Sequence, residues 1–302
     1  MPPVTRGFSA SLLVPGLRQI YIETGKEVPL DFEEVMNVSD MEWNPMTDGQ
    51  YTGLGTMPEK PEGTQFRTDR PIAGGTKVYT AVPYGFAFEV TWEMWRDERF
   101  GLMEEMTREL RRSSMQRLNV SGWAAINNAF STSYAGFEAS KSLCSTTHVG
   151  LDGVTRANRP SVDIGLSITA IQGSTTRFMN MTNERNLPLM LSPKLLVLNP
   201  AQRFTAREIL GSSGVPYKAD NEINSLVQED IRYIVTRYKT STTSWVMLAN
   251  KGEHDLNFMY RDRPIYDSWD DPTTKNAVFS VYQRHLEGST YGSWKGTDGS
   301  TG

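Results

Sequence analysis

Cys144 and His148 stand four residues apart in Leu143-Cys144-Ser145-Thr146-Thr147-His148, a spacing open to a thiol–imidazole pair or to two ligands of one metal ion. Two ligands do not close a zinc site. The chain has one cysteine and three histidines (His148, His254 and His285), so no second pair exists to complete it. A catalytic thiol would also need a positioned base and an oxyanion donor. Cys144 and His148 are therefore expected to be structural, with substitutions at either costing little. Asp267, Asp270 and Asp271 have the chemistry to hold a hard cation, but Pro272 beside them fits a solvated turn better. Gly211-Ser212-Ser213-Gly214 lacks the lysine of a phosphate cradle, and neither a dinucleotide fingerprint nor a nucleophile elbow occurs. Asn37, Asn119 and Asn180 begin glycosylation sequons that carry no weight without a secretion signal. No catalytic, cofactor-binding or metal-binding residue is assigned, and no enzymatic activity is expected.

The elements that would have to position a site are more informative. Apolar residues at helical spacing, Met103, Met106, Leu110, Met115, Leu118, Gly122, Ala125 and Ala129, predict one helix from about Glu93 to Phe130. Such a helix would span roughly 55 Å, more than a compact enzyme core requires. Its other face carries Glu104, Arg108, Arg111 and Arg112, with Glu104 placed to pair with Arg108 one turn on. Just before it, Phe86, Phe88, Val90 and Trp92 alternate with Ala87, Glu89 and Thr91, the period of a strand. Residues 46–76 are rich in turn formers (Pro58, Pro61, Gly63, Pro71, Gly74 and Gly75), which predicts a long β-hairpin with a polar tip. Residues 1–45 read as an extended arm anchored by Leu17, Ile20, Tyr21 and Val35; Pro15 and Gly16 cut off the short apolar patch Leu12–Val14. Downstream, Ser161 is expected to cap a helix bearing Ile164, Ile168 and Ile171. Leu195-Leu196-Val197-Leu198 reads as a buried strand, with Asn199-Pro200 starting a helix that stops at Gly211. Strands are predicted over 231–238, 245–249 and 277–283.

Charge and composition exclude several classes. Residues 1–45 hold seven acids against three bases, which accounts for the whole net charge of −4, and the other 28 bases and 28 acids cancel. No basic stripe of the kind that tracks phosphates is present, so specific nucleic-acid binding is not expected. A single cysteine excludes an intramolecular disulfide framework and fits a reducing compartment. No segment approaches the length of a membrane span, and no membrane partner is expected.

The order arm, hairpin, long helix, α/β unit and returning strands resembles the major capsid protein of tailed bacteriophages, an α+β fold shared with herpesvirus capsids. Within it, the chain most resembles the Mu-like major head subunit group. The segments Trp92-Glu93-Met94-Trp95-Arg96-Asp97 to Gly101 and Ser192-Pro193-Lys194-Leu195-Leu196-Val197-Leu198 contribute to the likeness. The resemblance implies an N-terminal arm (1–45), an E-loop β-hairpin (46–92), and a P-domain with a spine helix (93–160). An A-domain (161–254) and return strands of the P-domain (255–302) would follow. It implies a virion subunit that assembles with itself as hexamers and pentamers in the host cytoplasm. Packaged double-stranded DNA would be touched only weakly, and a portal and a decoration protein would be partners. Some members carry a scaffolding segment before the arm; this chain enters the arm directly, which implies either a separate scaffolding protein or a processed form, and the initial Met favours the separate scaffold. A few relatives join an E-loop lysine to a neighbour's asparagine, and Lys60 lies near the predicted tip, but that chemistry is not assigned here. Two other readings remain open from the residues alone. One is an α/β enzyme with a site between 161 and 250, the other a tail-tube or decoration subunit.

Overall fold

The computed structural model describes residues 7–97, 100–214, 223–274, 276–288 and 290–302. The chain opens with helix α1 (Gly7–Thr24), where an extended arm was expected. Leu17 and Tyr21, one turn apart, are buried against the later long helix, and this packing carries the helix through Pro15 despite the missing backbone donor. A 3₁₀ turn (Asp31–Glu34) then buries Phe32, and strand β1 (Asn37–Asp40) follows.

Strands β2 (Met46–Tyr51) and β3 (Ala73–Tyr79) form an antiparallel ladder around a tip with no regular structure from 52 to 72. Strand β4 (Ala81–Val90) ends two residues before the predicted alternation does. Trp92 instead opens helix α2 (Trp92–Asp97), with the Thr91 hydroxyl accepting from Met94 N at 3.3 Å. Helix α3 (Phe100–Asn127) carries the predicted stripe, with Met103, Leu110, Met115, Leu118 and Ala125 all buried. Residues 98–99 fall outside the described residues, and with them the expected continuity from Glu93. The predicted Glu104–Arg108 pair forms, at 3.4 Å.

Past the loop strands β5 (His148–Val149) and β6 (Thr155–Arg156) comes helix α4 (Ile168–Met179). Its cap is Ser167, which accepts from Ala170 N at 3.2 Å, and not Ser161. The helix starts six residues later than expected because its buried face is set by Ala170, Ile171, Ser174 and Phe178, and exposed Ile164 is not on it. Strand β7 (Leu195–Leu198) is wholly buried; Asn199 caps the turn that leads into α5 (Arg203–Gly211), as predicted. Strands β8 (Arg232–Val235), β9 (Trp245–Leu248), β10 (Asn257–Asp270), β11 (Ala277–Leu286) and β12 (Thr297–Ser300) complete the chain.

Two four-stranded sheets result. The first has the order β1-β10-β11-β4, with β1 parallel to β10 and the remaining pairs antiparallel. The register of β10 on β11 shifts between Asp262 and Ile265, around Pro264, which has no backbone N–H to give to the ladder. The second sheet has the order β12-β9-β7-β8. Residues 297–300, expected among the return strands with β10 and β11, therefore complete the other sheet. Their sequence Thr-Asp-Gly-Ser has no apolar side chain, yet every residue is buried, because long-range partners satisfy the side chains of Thr297, Asp298 and Ser300.

Helix α3 joins the two layers. Its first half packs with α1 on the inner face of the first sheet, where Tyr21 stacks on Tyr266 and Phe88 on Phe279. Its second half shares one core with Phe32, Phe178, β7, β9 and Phe258. A Cβ at Gly122 would meet the Phe32 ring at 2.3 Å, so only glycine lets the 3₁₀ turn lie flat on α3.

Candidate functional site

The sequence-flagged pair is brought into one buried region. His148 is buried, its Nδ1 lying 3.2 Å from Glu138 Oε2 and its Nε2 3.0 Å from Asn158 Oδ1. Its ring stacks on Trp294 at 4.4 Å, and Trp294 Nε1 donates to the other Glu138 oxygen at 3.0 Å. Both ring nitrogens are thus held by oxygens and not by Cys144. The Cys144 thiol is fully buried, and burial pushes its pKa well above the ordinary thiol range, the opposite of an activated nucleophile. Among the described residues no group of three or more His, Cys, Asp or Glu side chains is placed to hold a metal ion.

The cluster instead ties three distant segments together, so substitutions there are expected to cost more than the spacing alone suggested. Asn158 Nδ2 donates to Leu143 O at 2.8 Å and to Thr297 O at 3.1 Å, and Asn158 Oδ1 accepts from Ser145 N at 2.8 Å. His148→Ala leaves a cavity beside Trp294 and removes a partner from both Glu138 and Asn158. It is expected to cost about 2–4 kcal/mol in urea denaturation, against about 0.5 kcal/mol for a surface change.

The remaining candidates resolve in the same way. Asp271 accepts from Thr273 N and Oγ1 at 2.8 and 2.6 Å, which lowers its pKa and makes it the first residue of the β10–β11 turn. Gly211 closes α5, and Ser212 Oγ donates to Gly214 O; residues 215–222 lie outside the described residues. His254 and His285 are buried, which lowers both pKa values to about 4 and leaves both rings neutral at pH 7.

What the fold does present is surface that the described residues leave uncovered. Beyond the β2–β3 ladder the tip exposes Leu54, Met57 and Phe66, at 62%, 92% and 82%. Lys60 sits 5.0 Å over the Phe66 ring. Beside α3, the edge strand β4 leaves an open groove of about 530 Å³ lined by Phe86, Phe88, Leu102, Met106 and Leu110, together with Glu105 and Glu109. Phe86 is itself 62% exposed. Apolar side chains exposed on an otherwise polar tip, and an open apolar groove on the same chain, are the kinds of surface that heterologous contacts between copies use.

The base of the hairpin is fixed by the body. Lys77 Nζ donates to Ala135 O at 2.5 Å. A Cβ at Gly75 would come within 2.5 Å of Phe137 O, so glycine permits the strand to lie on that loop. Sequence reading had found the Gly74-Gly75 pair only as a turn signal. It had missed Arg185 and Glu184, whose partners lie more than a hundred residues away.

Comparison with known proteins places this arrangement. A family model described as Phage capsid protein matches residues 74–295. No curated protein matches the sequence. Among solved structures the chain is similar to the capsid of the cyanophage P-SCSP1u, at 10% identity and a TM-score of 0.57, with 89% of this chain and 86% of that chain covered. The mature capsid of bacteriophage PhiM1 is similar at 9% identity and a TM-score of 0.58, covering 89% and 85%. The procapsid of bacteriophage JBD30 is similar at 13% identity and a TM-score of 0.53, covering 99% and 76%. At these identities the likeness is one of fold.

Proposed function

This chain belongs to the phage capsid protein family and is a structural subunit of the virion, a major capsid protein and not an enzyme; from that premise we propose how it builds its shell. The exposed apolar side chains on the tip of one copy lie in the groove between β4 and α3 of the next, and the repeated contact closes hexamers and pentamers into an icosahedral shell. The observation that carries this reading is the exposure of Met57 and Phe66 at the end of a hairpin whose base is firmly docked. Burying such side chains contributes about 1.5–3 kcal/mol each, and hundreds of identical contacts share it.

We assign residues 1–45 to the N-terminal arm, with α1 folded back on the spine, and 46–92 to the E-loop and the strand that follows it. Residues 93–160 hold the spine helix, 161–254 the A-domain, and 255–302 the return strands, of which β12 closes the A-domain sheet. Placement in the Mu-like group is supported by the order of these parts. A portal and a decoration protein complete the set of partners, assembly takes place in the host cytoplasm, and DNA contact is weak and unspecific. The even balance of charge outside the arm supports that last point.

Replacing residues 54–70 with a short Gly-Ser linker tests the reading. These residues bury almost nothing within the chain, so the variant is expected to keep its circular dichroism and melting temperature while forming no shells by electron microscopy. Shells of native appearance from the shortened chain would overturn it.

A further inference from the structure

The hairpin is gripped a second time, above its base, by a turn that sequence reading passed over. Asn183 organises this turn: its Oδ1 accepts from Arg185 N and Leu187 N, each at 2.9 Å, and Asn183 N donates to Leu187 O at 2.9 Å. Asn186 takes a left-handed φ of 59°, which asparagine tolerates better than most residues. A turn locked in this way holds its two central side chains, Glu184 and Arg185, toward the hairpin.

Arg185 spans both limbs of the tip at its neck. Its Nε donates to Gly53 O at 3.3 Å on the outgoing limb. On the returning limb its Nη2 donates to Arg70 O at 2.7 Å and to Asp69 Oδ1 at 3.3 Å. The other Asp69 oxygen accepts from Gly55 N at 2.9 Å, so the guanidinium, the carboxylate and the outgoing limb form one chain of bonds. Glu184, nearly buried, accepts from Lys295 Nζ at 2.5 Å and from Gln50 Nε2 at 3.3 Å, which anchors the turn to the body and to β2 at once. Beyond the neck, the bonds of residues 54–68 are local, such as Thr64 Oγ1 to Pro61 O. Among the described residues no hydrogen bond joins 54–68 to the body.

We propose that the 183–187 turn is a catch that sets the angle at which the tip leaves the body, with Arg185 as the residue that holds or releases it. Opening the catch frees the tip while the two sheets stay folded, because the neck bonds are solvent-accessible and share no core residue with β7 or β9. Such a catch lets one chain present its tip at more than one angle without remodelling the body. The proposal concerns the unassembled chain, so its failure and the failure of the shell reading are separate results.

Amide hydrogen exchange on the purified chain, kept below its assembly concentration, tests this. The variants are Arg185→Ala, Arg185→Lys and, as a control on the tip itself, Lys60→Ala. The neck amides of Thr52, Gly55 and Ile72 are compared with those of Val197 in β7 and Val246 in β9. Arg185→Ala is expected to speed neck exchange about ten- to a hundredfold while leaving Val197 and Val246 unchanged. Arg185→Lys, which keeps the charge but not the forked grip, should fall between, and Lys60→Ala should match the wild type. Unchanged neck exchange in Arg185→Ala would overturn the proposal. So would equal acceleration at Val197 and Val246, which would make Arg185 a general stabiliser.

Discussion

Leu110→Pro is expected to abolish folding, giving insoluble chain and no cooperative melting transition. Leu110 is buried in the first half of α3, packed in one cluster with Tyr21 of α1 and Val281 of β11. Proline there removes a helical hydrogen bond and clashes with the preceding turn, costing about 3 kcal/mol or more. The lost leucine adds roughly 2–5 kcal/mol, and the sum rivals the whole stability of about 5–15 kcal/mol expected of a domain. The loss is not local, because the same helix continues into the core shared by both sheets. Glu104→Ala, on the outer face of that helix, breaks a pair in which both side chains are about 40% exposed. It should cost at most about 0.5 kcal/mol. Solubility and far-ultraviolet circular dichroism separate the two outcomes, and a normal yield of soluble Leu110→Pro would remove α3 from its role as the shared beam.

Arg177→Ala is expected to cost about 3–5 kcal/mol at neutral pH, because it strands a buried carboxylate. Asp298 in β12 has no exposed surface, and Arg177 of α4 donates to its two oxygens from Nε and Nη2 at 2.6 and 2.8 Å. Burial raises the Asp298 pKa even with the guanidinium in place, since desolvation outweighs the pair. A carboxyl whose folded pKa is raised favours the folded state most below its unfolded value, near 4, and that contribution is lost as pH rises through the folded pKa. Without Arg177 the folded pKa rises further, so the penalty should be largest at pH 7 and shrink steadily towards pH 4. Arg177→Ala with Asp298→Asn removes the stranded charge and should recover part of the loss at pH 7. Urea denaturation of both variants at pH 7 and pH 5 checks this, and a penalty independent of pH would mean that Asp298 is not the group responsible.

How far the sequence reached is clearest at the level of single elements. The alternation of Phe86, Phe88 and Val90 lies on a strand whose register on β11 is unbroken from Val90 to Ala81. The stripe of α3, the buried run of β7 and the Asn199-Pro200 start were legible because each is a local signal: a period, an apolar run or a cap. Helix α1 was not, because Pro15 and Gly16 are strong local breakers and the packing that overrides them comes from α3, some ninety residues away. Strand β12 was hidden for a related reason. Nothing in Thr-Asp-Gly-Ser suggests burial, which depends on Arg177, Asn158 and Asp163 arriving from elsewhere. The same holds for the candidate site. The composition of the tip marked it as poor in core contacts, whereas the grip of Arg185 exists only once residues 53, 69 and 185 meet. At Cys144 and His148 the spacing was legible but the burial of both side chains was not, because spacing does not report burial.

Cryo-electron microscopy of the purified chain under assembly conditions tests the central claim most directly. The account predicts closed icosahedral shells in which residues 54–70 of each subunit cross the groove lined by Phe86, Met106 and Leu110 of a neighbour. Monomers, open tubes, or shells whose tips stand in solvent and touch no neighbouring groove would contradict it.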